Sequence, residues 1–334
     1  MPDNQGQKQA SFRAISGKAL DFNGDFIAAA EAEGITGGTY NEIMIKWLQF
    51  RLSSSETNLP ALQQAFADSL GVYNWNSITT ISGNIDSNRV AYVDSTIAAS
   101  YTSGETWSNV ETTPADGSSQ TANDFYMGVT GSTGGDEPTF TGTPGDSGAY
   151  MLYDGNDLNA FKGSITPFFD NLHKTTGGQD FTVIMAVYYV GILGFQTFAS
   201  NRGDNDIGLN IYTNPSTGYL RMAQKGDTGS VFAIGSTNLT DNAWNLIGAA
   251  HKHGTNETKL WVNSATADVV SSSFNTTTSS AAGLPAIAGI SDATQEVRTG
   301  TRIKSCSWYN KVLSDAEFAE VAAQLSTQHG MSYL

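Results

Sequence analysis

Four histidines, one cysteine and a scatter of acids in turn-rich segments are the chemically versatile side chains of this 334-residue sequence. His251-Lys252-His253 places two imidazoles at i and i+2, the spacing that puts both on one face of a strand, as a two-histidine metal site requires. No third ligand lies nearby in sequence and Gly254 turns the chain, so the pair reads as two polar residues on an outer strand face. Asp154, Asn156 and Asp157, and again Asp204, Asn205 and Asp206, offer hard oxygen donors. Turn formation explains both clusters equally well, since Asp and Asn bond their own backbone and Asp154-Gly155 is itself a turn signal. No G-x-S-x-G is present, and His173, His251, His253 and His329 suggest no triad. For sugar stacking, Tyr188, Tyr189, Tyr212, Tyr219, Trp244 and Trp261 are available, with Trp244 and alternate residues of the strand through Tyr188 expected in the core.

The elements that must position these groups are mostly strands. From Trp107 onward the pattern is β: 124–127, 149–153, 181–190, 208–212, 218–222, 244–250, 259–262 and 301–309, separated by turn residues such as those of 214–218. Phe181 to Val190 is nearly apolar throughout, which predicts a central strand covered on both sides. Helical signals concentrate in the first 75 residues. Thr39 and Glu42 have capping-box spacing ahead of Ile43, Trp47 and Leu48, and Pro60 precedes Leu62, Phe66 and Leu70 on one face. A second capping box, Ser314 with Glu317, opens a short helix with Phe318, Val321 and Leu325 on its apolar side. The reading is a helical adaptor over 1–78, a connecting segment over 79–106 whose one strand is Val90–Val93, and an antiparallel β-sandwich over 107–334.

Composition limits the partners. With 17 Lys+Arg against 32 Asp+Glu the net charge is −15, which repels phosphate backbones and anionic membranes, so nucleic acid is not expected. No apolar run approaches the ~18 residues of a membrane span, and membrane insertion is not expected either. The 35 glycines follow no collagen period. Cys306, standing alone, forms no internal disulfide. The first residues show no apolar signal core, and the expectation is an unsecreted, soluble product.

Leu152 to Asp157, Phe181-Thr182-Val183, Trp244 to Ile247, Thr258 to Asn263, and Ser307-Trp308-Tyr309-Asn310 leading through Leu313-Ser314 into Asp315-Ala316-Glu317 together resemble the laminin-G/concanavalin A-like jelly-roll family. The terminal run is the most specific of these, and there a strand hands over to a capped helix covering one rim of the sandwich. Upstream, Ser11 to Ala14, Leu20 to Asp25, Asn41-Glu42, Trp47, Arg51-Leu52 and Thr57 to Pro60 are similar to the front end of tailed-phage virion proteins. The resemblance implies a non-enzymatic structural protein of a phage particle, made in the bacterial cytoplasm. It would attach to other virion proteins at capsid or tail, with a lectin-like domain for host surface polysaccharide, and a homo-oligomer, a trimer, follows from that context. The expectation is no cofactor; the jelly-roll family sometimes holds calcium at the sandwich rim, and Asp154, Asp157, Asp204 and Asp206 are the candidate ligands for it. Glycoside hydrolases on this fold carry an E-x-D-x-x-E run of paired acids, and none is present here. A polysaccharide-degrading enzyme and a purely stabilising cement protein are the rival readings.

Overall fold

The computed structural model describes residues 86–334 apart from 102, 128–137, 154–159, 192–193, 204–205, 215, 256 and 291–296. The expected helices of 1–78 lie outside the described residues. Ser87–Leu334 forms one compact unit of two antiparallel sheets, the sandwich that the sequence predicted.

Sheet A runs β14 (Asp268–Ser271), β13 (Glu257–Val262), β12 (Ala243–His251), β7 (Phe181–Tyr189), β16 (Arg302–Tyr309), β5 (Tyr150–Leu152) and β4 (Thr139–Thr141). An eighth strand, β1 (Arg89–Asp94), also pairs with β16. Sheet B runs β11 (Gly229–Asn238), β10 (Tyr219–Gly226), β9 (Gly208–Thr213), β8 (Thr197–Ser200), β15 (Ala286–Ile287), β6 (Phe161–Gly163), β3 (Phe125–Met127) and β2 (Thr106–Trp107). Between the sheets lies an aromatic-rich core in which Trp107 packs against Phe161, and Trp308 meets Phe169 edge to face with ring centroids 5.4 Å apart. Phe168 and Phe169 enter that core from a short helix, α1 (Pro167–Asn171). Where the edge strands β11 and β14 approach each other, Asp268 accepts bonds from the Ser236 N–H at 2.7 Å and hydroxyl at 2.8 Å. That carboxylate occupies the edge of β11 and so blocks further strand pairing there.

The connecting segment expected over 79–106 is corrected from Ser87 onward. Backbone pairing of Tyr92 with Ser307 and Asp94 with Ser305 makes β1 part of sheet A, and Val90, Ala91 and Val93 are core residues. Only long-range pairing makes this segment part of the sandwich, which is why its composition alone read as a link.

The terminal helix, α2 (Asp315–His329), has the predicted capping box, with Phe318, Val321 and Leu325 buried. It lies on the outer face of sheet A instead of at a rim. Phe318 stacks on Trp261 of β13 with centroids 4.8 Å apart, and at the other end His329 bonds Asp94 of β1. The path follows the cross-strand row Trp261, Gly248, Ile184, Ser307, Tyr92. Four strand spacings of ~4.8 Å come to about 19 Å, which a 15-residue helix of about 22 Å spans. Covered by this helix on one side and by the core on the other, β7 needs the continuous apolar run that it has.

Candidate functional site

Beyond the helix, the outer face of sheet A holds a cluster of rings and cations. Alternation along β7 sends Phe181, Val183, Met185, Val187 and Tyr189 into the core and leaves Tyr188 on the outer face. Pairing aligns Tyr188 with Trp244 of β12 on one side and with Arg302 of β16 on the other. Tyr150 of β5 completes the frame. Its ring is 6.2 Å from that of Trp244, and Trp244 is 5.7 Å from Tyr188, both edge to face. The Arg302 guanidinium carbon lies 4.5 Å from the Tyr188 centroid and 4.9 Å from that of Tyr150. All four side chains are half-buried. Trp244 is therefore not a core residue, as the sequence led us to expect, whereas the alternate residues of β7 are.

Arg302 makes no ion pair among the described residues, and its Nε has no hydrogen-bond partner. Cation–π attraction holds the guanidinium in place without neutralising it. Beside it, a register shift between Ile303 and Ser305 marks Lys304 as the irregular residue of β16. Lys304 is buried, with its ammonium 5.1 Å from the Trp244 centroid, and it donates to the carbonyl oxygens of Ser147 and His329. Desolvation pushes its pKa down and the nearby Asp94 carboxylate pushes it back up. Lys304 thus braces Trp244 from below and links the cluster to the end of α2.

That end is a buried polar hub. Asp94 Oδ2 accepts from the Tyr92 hydroxyl at 2.6 Å and Gln328 Nε2 at 2.9 Å and lies 2.9 Å from His329 Nε2, while Oδ1 accepts from the N–H and hydroxyl of Thr96, both at 2.7 Å. His329 Nδ1 is 2.6 Å from the Tyr333 hydroxyl. A carboxylate, imidazole and phenol in series look like a proton relay, but the Asp94 and His329 side chains are fully enclosed. The hub's evident role is to latch α2 onto β1.

The other sequence candidates separate. His251 closes β12 and is buried, stacked on Phe274 at 3.6 Å with Nδ1 3.0 Å from Thr258 Oγ1, and desolvation, with His253 second, pushes its imidazole down to about 4. His253 lies in the turn beyond the strand, where its N–H donates to Asp180 at 2.8 Å. The two imidazoles are thus not an outer-face pair. Asp154, Asp157 and Asp204 lie outside the described residues, and Asp206 is exposed. Among the described residues no group of three or more His, Cys, Asp or Glu is placed to hold a metal ion. Tyr189 and Trp261 are buried, the latter donating Nε1–H to Asp315 at 3.1 Å. Cys306 faces the core, where burial pushes its thiol pKa up and keeps it unreactive. Arg302, Lys304 and Tyr150 were not singled out from sequence; a usable signal was a pair of scarce cations at i and i+2 in a strand of an acidic chain.

No family model matches the chain, and no curated protein does. Solved structures with similar folds include a Trypanosoma rangeli sialidase in complex with 2,3-difluoro-KDN, at 12% identity and a TM-score of 0.44, covering 72% of this chain and 33% of that one. The binding domain of botulinum neurotoxin DC in complex with SialylT aligns at 9% identity and a TM-score of 0.49, over 72% of this chain and 52% of the other. The Ruminococcus gnavus IT-sialidase CBM40 bound to alpha2,3 sialyllactose aligns at 16% identity and a TM-score of 0.35, over 46% of this chain and 90% of that module. The match therefore spans about a third of the sialidase chain and half of the toxin domain. At these identities the likeness concerns the β-sandwich alone. Among the described residues, no helix is long and apolar enough to cross a membrane.

Proposed function

We propose that residues 87–334 are a non-enzymatic saccharide-binding sandwich and that the whole chain is an adhesive component of a tailed-phage particle. In this reading the N-terminal region docks on other virion proteins, and a trimer multiplies weak sites into useful avidity. The observation that carries the saccharide reading is the Arg302 guanidinium, framed by Tyr150, Tyr188 and Trp244 with no carboxylate partner among the described residues. The half-buried rings offer their exposed apolar surface to the C–H side of a pyranose. A planar guanidinium offers paired N–H donors to a carboxylate on the same sugar. The favoured ligand is accordingly an acidic glycan of the host surface. The particle assignment rests on the N-terminal motifs in combination with the jelly-roll resemblance.

Titrating the protein with 3′-sialyllactose, trigalacturonate and neutral lactose tests the saccharide reading. At least one acidic probe should bind about tenfold or more tightly than lactose, and Arg302→Gln should remove that preference while leaving the thermal midpoint unchanged. Equal binding of lactose, or no binding at all, would overturn it. Sustained release of reducing ends from host polysaccharide would instead establish the enzymatic alternative. Absence of the chain from purified virions would end the particle assignment.

A further inference from the structure

A second guanidinium framed by rings stands on the opposite layer. Arg221 of β10 shares a cross-strand row with Tyr212 of β9 and Ile234 of β11, on the outer face of sheet B. Its guanidinium carbon is 3.7 Å over the Phe232 ring and 5.4 Å from the Tyr212 centroid, and Phe195 stacks on Tyr212 with centroids 5.5 Å apart. Like Arg302, Arg221 has no ion pair among the described residues and an Nε without a hydrogen-bond partner.

The surroundings are more open than on sheet A. Phe195 is 48% exposed, Phe232 44% and Ile234 41%. Apolar side chains grouped with a cation are a costly surface to leave in water unless something is bound there. The pairing is also unusual for this composition. With 32 acids to 17 Lys+Arg, carboxylates are abundant, yet Arg221 is set among rings. The guanidinium is a local positive point, and rings that hold it by its face leave its edge for a bidentate carboxylate, a short-range contact made against the repulsion of the acidic chain as a whole.

Both clusters lie toward one end of the sandwich. Tyr188 is next to the last residue of β7, and Phe195 lies in the connection from β7 to β8. The two faces therefore flank one rim, separated by the ~10 Å between packed sheets plus their side chains.

We propose that Arg221, with Phe195, Tyr212, Phe232 and Ile234, is a second binding site for an acidic saccharide, so that one domain holds a sugar unit on each face. The ligand class rests on the reading of the Arg302 cluster; the existence of the site rests on its own geometry. NMR titration of the arginine Nε–H signals of the full chain, assigned with the Arg221→Gln and Arg302→Gln variants, reads each site separately. With 3′-sialyllactose or trigalacturonate, the Arg221 signal should shift saturably, persist in Arg302→Gln and be absent in Arg221→Gln. A shift at Arg302 alone would overturn the second site and leave the first reading intact. If Arg221 alone shifted, the second site would stand and the first reading would fall. With no shift at either, both are overturned. Because the unaltered protein supplies the direct signal, the test does not depend on the Arg221→Gln variant folding.

Discussion

At the scale of single residues, two buried polar groups make measurable demands. His251 is held neutral by burial against Phe274. Unfolded, it takes up a proton near pH 6.5, whereas the native imidazole does so only near 4, so the unfolded state binds more protons between those values. Its contribution is full above pH 6.5 and falls by about 3 kcal/mol as pH drops to 4. His173, also pushed down by desolvation, has the same sign. Urea unfolding of His251→Phe from pH 7 to 4 should therefore show a clearly flatter, though not flat, acid limb. Asp94 is the second case. Asp94→Ala removes the buried acceptor shared by Tyr92, Thr96, Gln328 and the His329 ring, and should cost about 3–5 kcal/mol in the same assay. Sequence made His251 visible as chemistry but gave the wrong surroundings, because Phe274 reaches it from a distant, turn-rich stretch. Arg302 and Trp244 were equally opaque: which face a strand residue occupies depends on pairing with strands far along the chain.

At the scale of elements, α2 is both the most legible and the most informative. Its capping box and apolar face are local patterns, fixed within a few residues, and both are present in the fold. Ser314→Ala should lower stability by about 1 kcal/mol, measured by thermal or urea unfolding. What the helix lies upon was not legible. Gly248 is a glycine because a Cβ there would sit 2.6 Å from Phe318 Cε2 and 3.0 Å from Trp261 Cε3. Gly248→Ala should cost about 1–3 kcal/mol, and the added Phe318→Ala change should recover part of that local clash in a double-mutant cycle. β11 escaped notice for a different reason. Six of its ten residues are exposed and it carries Gly229 and Gly235, so it reads as loop until the pairing of Gln224 with Val231 and Lys225 with Ser230 is known.

At the scale of the molecule, the boundary of the sandwich is itself a prediction. A chain beginning at Ser87 should unfold cooperatively in urea, with the m-value expected for its full buried area. One beginning at Trp107 lacks β1, leaves the Ser305–Tyr309 edge of β16 unpaired and removes the partner of His329, and should show a broad transition or aggregate. The fold class was legible because it follows from many short strands and turns, each a local signal. The arrangement was not, since its defining contacts join opposite ends of the domain.

That closure has a consequence for how the protein is made. Among the described residues the first strand of the sandwich pairs only with the last, and the latch from Asp94 to His329 spans 235 residues. During synthesis β1 must wait, with Val90, Ala91 and Val93 uncovered, until nearly the whole domain has left the ribosome. Folding is thereby deferred until the last strand and α2 have emerged, and the waiting strand is an early target for chaperones and for unwanted pairing with neighbouring copies.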